Sequence, residues 1–246
     1  MKYEFMFPDQ IREAIDQNWP VVFPFGVLEF HDEHCCVGVD TLVITGALEI
    51  LEKEIDMVVL PAYYYGASSY AVAIPDRSGT IHIDSDIIHK LAKDLFKSLL
   101  SIGFKNIHVL IHHQSENFAA GMPNDLALRL AARQVLFELI ESEKGLGWWG
   151  DDSMQDYYIQ HDAGDDPFNW IKVHPFMDEE IQKKFPIDHA GKQETSLMMA
   201  FCPEGVDMKR FAGTKWFAKQ AVEADKKYAD EAKQAVLEGL RKALKS

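Results

Sequence analysis

Two spacings of apolar residues alternate along this chain, and polar residues crowd where one gives way to the other. Residues 20–25 (ending Val21-Val22-Phe23-Pro24-Phe25), Val58-Val59-Leu60-Pro61 and Asn106-Ile107-His108-Val109-Leu110-Ile111 are short, nearly continuous apolar runs followed by turn-forming or polar residues, the pattern of buried strands. Elsewhere apolar positions return every three or four residues, as on a helix with one buried face. This spacing predicts helices over residues 9–19, with Pro8 near the start, over 41–53, over 85–100 with Ile87, Leu91, Leu95 and Leu99 inward, and over 126–143. A further apolar helix contains Leu197-Met198-Met199-Ala200-Phe201, and a charged amphipathic helix closes the chain over 218–244. Ser78 to Ile83 reads as a turn into a short strand. Residues 145–175 hold no sustained period, but aromatics among their glycines and acids suggest a lid or an oligomer contact.

The densest polar cluster, Glu29-Phe30-His31-Asp32-Glu33-His34-Cys35-Cys36-Val37-Gly38-Val39-Asp40, falls between the first strand and the next helix. It is therefore a βα loop, where open α/β sheets place their chemistry. Glu29 and His31 are two apart, so in an extended segment both side chains face one way, and Asp40 could rejoin them after the bend at Gly38. Mixed carboxylate and imidazole donors suit zinc, manganese or non-haem iron, and no Cys-x-x-Cys pair argues for a structural zinc site. Spacing alone leaves a metal site and a solvated loop equally open. A second cluster, His112-His113-Gln114-Ser115-Glu116-Asn117, follows the third strand and can converge on the same crevice. His112 reads either as a pocket residue or as a strand-end cap, and the Tyr63–Tyr65 run either as a pocket wall or as an edge cover.

Composition narrows the function. The 246 residues, 47% apolar, have material for one large core, and one domain over 1–246 is the default. A formal charge of −14 repels phosphate backbones and anionic lipid, which argues against nucleic acid and membrane surfaces as partners. The N-terminal residues lack a signal-peptide pattern and no apolar run approaches a bilayer span, so a cytoplasmic location is expected. Three cysteines, two of them adjacent, argue against a disulfide framework, and reduced thiols are expected.

The order Glu29-x-His31-x-x-His34-x-x-x-Gly38-x-Asp40, preceded by Pro24-x-Gly26, resembles the creatininase family signature Glu-Gln-His-Gly-Pro-His-Leu-Pro-x-x-Thr-Asp. Tyr65-Gly66, Ser78-Gly79-Thr80-Ile81 and the ungapped His189-Ala190-Gly191-x-x-Glu194-Thr195-Ser196 are similar to further elements of that family, in the same order. The resemblance spans roughly residues 20–205. It implies a single-domain three-layer α/β/α fold with a mostly parallel sheet and a centre of one or two divalent ions, Zn2+ foremost, Mn2+ or Fe2+ as alternatives. It also implies a ring-like homo-oligomer, plausibly a hexamer.

Carried over by residue, the resemblance makes Glu29, His31 and Asp40 metal ligands, Asp40 bridging, with His189 donating or accepting a proton near the substrate. His34 also matches the signature. Glu194 could orient His189, assist water at the ion or cap its own helix. The family's Asn-Gly-His element is altered here: His113 or Gln114 can stand at its histidine, with Glu116 on its glutamate. His113 is the expected ligand, since glutamine replaces imidazole poorly; Glu116 is a catalytic candidate. His34, His112, Tyr65 and Trp170 are expected around the substrate, and Cys35 and Cys36 as packing. The implied reaction is opening of a small cyclic substrate by attack of metal-bound water on a ring carbonyl, at an amide C–N bond and, given the altered element, not in creatinine itself. The alternatives are C–C hydrolysis of a diketo-inositol (dehydro-inosose) ring in inositol catabolism and a non-catalytic metal-binding assembly protein.

Overall fold

The computed structural model describes residues 1–164 and 166–245; of the irregular stretch, Asp165 lies outside them. Its regular elements are α1 (Pro8–Asp16), β1 (Val21–Phe25), α2 (Val39–Leu51), β2 (Val58–Val59), α3 (Ser85–Ile102), β3 (Ile107–Ile111), α4 (Pro123–Lys144), α5 (Tyr157–Ala163), β4 (Ile171–Pro175), α6 (Glu179–Lys184), α7 (Lys192–Phe201) and α8 (Lys226–Ala243). The strands form one sheet in the order β2-β1-β3-β4, every pair parallel. Phe25 pairs with Ile111 and Ile111 with Pro175, so the loops leaving β1 and β3 emerge side by side at one end.

Alternation along the strands divides the core between two faces. Val22, Leu110 and Val59 face α2, α7 and α8, while Val21, Phe23, Phe25, Val109 and Ile111 face α1, α3 and α4. Both faces being covered explains why β1 and β3 are buried along their whole length and read as continuous apolar runs. The outcome is the expected three-layer α/β/α arrangement with a parallel sheet. No helix among the described residues is long and apolar enough to cross a membrane.

Several local expectations shift. The buried face of α3 is Ile88, Ala92, Phe96 and Leu99, leaving Ile87 and Leu91 exposed, because the Phe96 ring is wholly enclosed against the sheet. Ile81 makes one bridge to Leu28 and no strand. The last helix starts at Lys226: Asp225 is extended and its carboxylate accepts the Tyr228 N–H at 2.8 Å, an N-cap the periodicity alone hides. β4 was not anticipated; at the sheet edge its Ile171-Lys172-Val173-His174 alternation is only partly covered, so it lacks the apolar continuity of β1.

A buried imidazole file crosses β3 and β4. His108 donates from Nε2 to Asn106 Oδ1 (2.7 Å), so its Nδ1 accepts from His174 Nε2 (2.9 Å) with the rings stacked. Burial and the neighbouring imidazole and Lys172 hold His108 down to about 3, and burial and Lys172 hold His174 down to about 4. Unfolded histidines titrate near 6.5, so below that pH the unfolded chain binds protons the folded chain refuses. This stabilisation is complete above pH ~6.5 and is lost as pH falls towards ~4, at up to ~1.4 kcal/mol per pH unit per histidine. We expect Tm to fall steeply between pH 7 and pH 5, and a His108→Leu variant, less stable at pH 7, to show a shallower slope.

Candidate metal centre

Gly26 directly follows β1 and lies against the Asp40 and Thr41 backbone, where any side chain would collide with Thr41 Oγ1. The chain therefore loops out over residues 26–38, closes with Glu29 N–H to the Val37 carbonyl (2.9 Å), and returns so that α2 begins beside the strand end. Asp40 occupies the first turn of α2, where the helix dipole favours a carboxylate. The β3 exit supplies His113, and the 187–191 loop and first turn of α7 supply His189 and Glu194.

These side chains converge. His31 Nε2 lies 3.7 Å from Asp40 Oδ2 and 3.4 Å from Glu194 Oε2, and His113 Nδ1 lies 3.3 Å from Glu29 Oε2 and 4.0 Å from Asp40 Oδ2. Two sets of three donors result, Glu29/Asp40/His113 and His31/Asp40/Glu194, each within 4.8 Å and sharing Asp40; Glu29/His31/His189 form a third. His31 donates from Nδ1 to the Glu29 carbonyl (2.9 Å), which leaves the Nε2 lone pair aimed at the carboxylates. His189 donates from Nε2 to the Phe30 carbonyl (2.9 Å), so Nδ1 is its free nitrogen.

The donor set fits divalent cations. Among the described residues, every buried side-chain nitrogen or oxygen without a hydrogen-bond partner belongs to residues 31–41, 112–113 or 193–196, His31 Nε2 and Asp40 Oδ2 among them. Orphaned buried polar atoms are costly, and a cation with its water satisfies them. Burial and Glu29 push Asp40 up to about 7 despite His113; burial, Asp40 and Asp188 push Glu194 well up; and the carboxylates raise His113 against its desolvation. Without a counter-ion the cluster holds protons, so cation uptake releases them and weakens in acid.

In the altered element the His113 and Gln114 side chains face different ways. Gln114 donates from Nε2 to the Met177 carbonyl (2.9 Å) and accepts the Met177 N–H at Oε1 (3.0 Å), a reciprocal pair that ties the loop to β4's exit and leaves His113 turned to the carboxylates. Glu116 is exposed on the cavity rim and joins none of the donor sets; Glu194 stands in the cluster instead. Glu194 also accepts the Ala190 N–H (2.7 Å), but Asp188 does most of the capping of α7, accepting N–H groups from Gly191, Gln193 and Glu194. We therefore expect Glu194→Gln to lower metal content while Glu116→Gln leaves it unchanged, as read by metal analysis of dialysed protein.

A cavity of about 800 Å3 opens above the cluster, bounded by Glu29, Asp40, His112, His113, His189 and Glu194 with Ser68, Ser69, Trp216 and Phe217. His112 lies at its floor against Phe176, held neutral by burial and His113, which bring it down to about 3. His34 is buried behind the cluster, hydrogen-bonded to Thr195 Oγ1 (3.0 Å), and Tyr65 is half-exposed against Tyr63; neither lines the cavity. Trp170 is at the opposite end of the sheet: it precedes β4, its carbonyl accepts the Ile107 N–H (2.8 Å), and Lys105 Nζ sits 4.6 Å from its ring. The aromatic cover comes instead from Trp216 and Phe217, the latter edge-on to His189 at 5.1 Å. Two adjacent aromatics in the polar 213–220 stretch were the available signal.

The family model described as Creatininase: Creatinine amidohydrolase matches residues 5–240. Creatinine amidohydrolase of Pseudomonas putida is 26% identical over 194 residues, 77% of this chain and 67% of that protein. A structure of a creatininase in a Mn form has a TM-score of 0.73 at 17% identity, covering 99% of this chain and 96% of that one. A mutant creatininase of Zn–Zn type has a TM-score of 0.73 at 16% identity with the same coverage. At these identities the structural likeness establishes the fold.

Proposed function

The chain belongs to the creatininase family of metal-dependent amidohydrolases, and from that premise we propose that it is a hydrolase opening a small cyclic substrate at an amide C–N bond. One observation carries the reading: two donor triads sharing Asp40 at the floor of a cavity lined by His189, whose Nε2 is engaged with the Phe30 carbonyl and whose Nδ1 is left for the substrate. A divalent ion held there supplies a Lewis acid for a carbonyl oxygen and lowers the pKa of coordinated water towards ~7. Glu29, Asp40 and His113 would hold one ion and His31, Asp40 and Glu194 a second; zinc and manganese, present in the solved relatives, suit this donor set.

The protein's own groups then divide the work. His189 keeps its Nε2 proton on the Phe30 carbonyl, takes a proton at Nδ1 and returns it to the departing nitrogen. Phe217 packs against the His189 ring and holds its plane, and Trp216 can fold over a bound ring and exclude water. Asp188 fixes the first turn of α7 and with it Glu194.

Ser68, Ser69 and Gln220 along the cavity favour a second reading, C–C hydrolysis of a polyhydroxylated inosose ring. Exposed Ile87, Leu91, Leu126 and Leu130 on the neighbouring helices α3 and α4 support a homo-oligomer. The test is metal analysis of the purified protein, then a turnover screen of cyclic amides, creatinine and inososes. Ring opening of a cyclic amide that stops on chelation supports the proposal; turnover of inososes alone replaces it with the second reading. A metal-free protein inert to the whole panel would sink both.

A further inference from the structure

Cys36 and Cys202 take no part in the centre described above, yet they meet beside it. Cys36 is a half-buried residue of the 26–38 loop, and Cys202 ends α7, the helix that carries Glu194. The short turn Pro203–Gly205 joins them: Cys36 N–H donates to the Gly205 carbonyl (2.9 Å) and Gly205 N–H to the Cys202 carbonyl (3.0 Å). The point where a side chain on Gly205 would begin is filled by the Met198 Cε methyl and lies 3.0 Å from Cys36 Sγ and 3.8 Å from Cys202 Sγ, so both sulfurs flank one spot beside the turn, separated by no more than a flexible methionine tip. Cys35 differs; it is buried with its thiol hydrogen-bonded to Thr195. All three are free thiols.

We propose that Cys36 and Cys202 are an oxidative modification site, a disulfide-forming pair through which a peroxide ties the 26–38 loop to α7. Cys36, the more accessible sulfur, attacks the peroxide; one oxygen passes to sulfur as a sulfenic acid and the other leaves as water. The Cys202 sulfur then displaces the sulfenic oxygen, the S–S bond forms, the S–O bond breaks and a second water leaves with the thiol proton. Two electrons from the two thiols reduce one peroxide. Burial and Glu204 push the Cys202 thiol up to about 11, which assigns it the second step and not the first. The bond would place Glu29, His31 and Asp40 in one cross-linked unit with Glu194, closing a chain loop long enough to stabilise the fold.

The experiment uses full-length Cys35→Ser protein, reduced, freed of metal with EDTA and treated with hydrogen peroxide, so the outcome stands apart from the metal reading. Tryptic mapping without reductant should show one linked pair of peptides, each with a single cysteine, in protein that runs as a monomer on a denaturing gel. The link should be lost when Cys36→Ser or Cys202→Ser is added and be reversed by dithiothreitol. Tm of the linked protein should rise by roughly 5–10 °C. Oxidation of Cys36 to sulfinic acid with Cys202 still open to alkylation, bridging only between chains, or an unchanged Tm in linked protein would each overturn the proposal.

Discussion

Replacing Asp40 by asparagine is expected to leave the protein folded, reduce its bound metal to one ion per chain or fewer, and all but abolish turnover. Asp40 is the residue common to both donor triads, and one amide oxygen cannot serve two cations as a carboxylate does. A Lewis-acid ion contributes several kcal/mol to the transition state, so at 1.36 kcal/mol per tenfold its loss lowers kcat by ~10³ or more. Stability should move the other way in EDTA. Three carboxylates, Glu29, Asp40 and Glu194, are buried together, and burial already holds Asp40 up to about 7, so a neutral amide relieves a desolvation penalty the wild type carries without its ions. The apo variant should therefore melt at or above the apo wild type, yet gain less on adding Zn2+ or Mn2+. Retention of two ions by Asp40→Asn would refute the shared-ligand arrangement.

His189→Gln should separate proton transfer from metal binding. The amide can still donate to the Phe30 carbonyl that now receives His189 Nε2–H, so the loop should keep its place. It offers no nitrogen that can take up a proton and return it, and loss of general acid–base catalysis lowers kcat by ~10²–10⁴ with metal content unchanged. His189 also belongs to a donor set with Glu29 and His31, its ring 4.4 Å from that of His31. If metal is lost in proportion to activity, His189 is a ligand and the proton must be carried by another group.

The local parts of this site were legible. A continuous apolar run followed by a glycine and then by donors two residues apart marks a buried strand ending in a loop, and β1, the 26–38 loop and α2 follow that reading closely. Asp188 illustrates a limit: its three capping bonds are short-range, but an aspartate three residues ahead of the N-cap Gly191 carries no pattern that separates a cap from a solvated side chain. β4 was missed because an edge strand need bury only part of itself, and Ile171 to Pro175 carries just that pattern.

The choice of partners is a different matter. His31 meets Glu194 and His113 meets Glu29 only because the parallel register of β1 and β3 brings two loop exits together and α7 packs on α2 across them. The family resemblance sets Glu116 on a glutamate position, yet the Gln114–Met177 pair turns the chain so that Glu116 ends in solvent. The family resemblance sets Trp170 over the substrate, but strand direction puts it at the far end of the sheet and leaves that edge to Trp216 and Phe217. Residue types, their local spacing and the strand-to-loop transitions follow from short-range sterics and burial and were already present in the chain. Which donors share a cation, and which aromatics cover it, depends on contacts between residues far apart in the chain, such as His113 with Glu29 and His31 with Glu194, set by how the two faces of one sheet are filled.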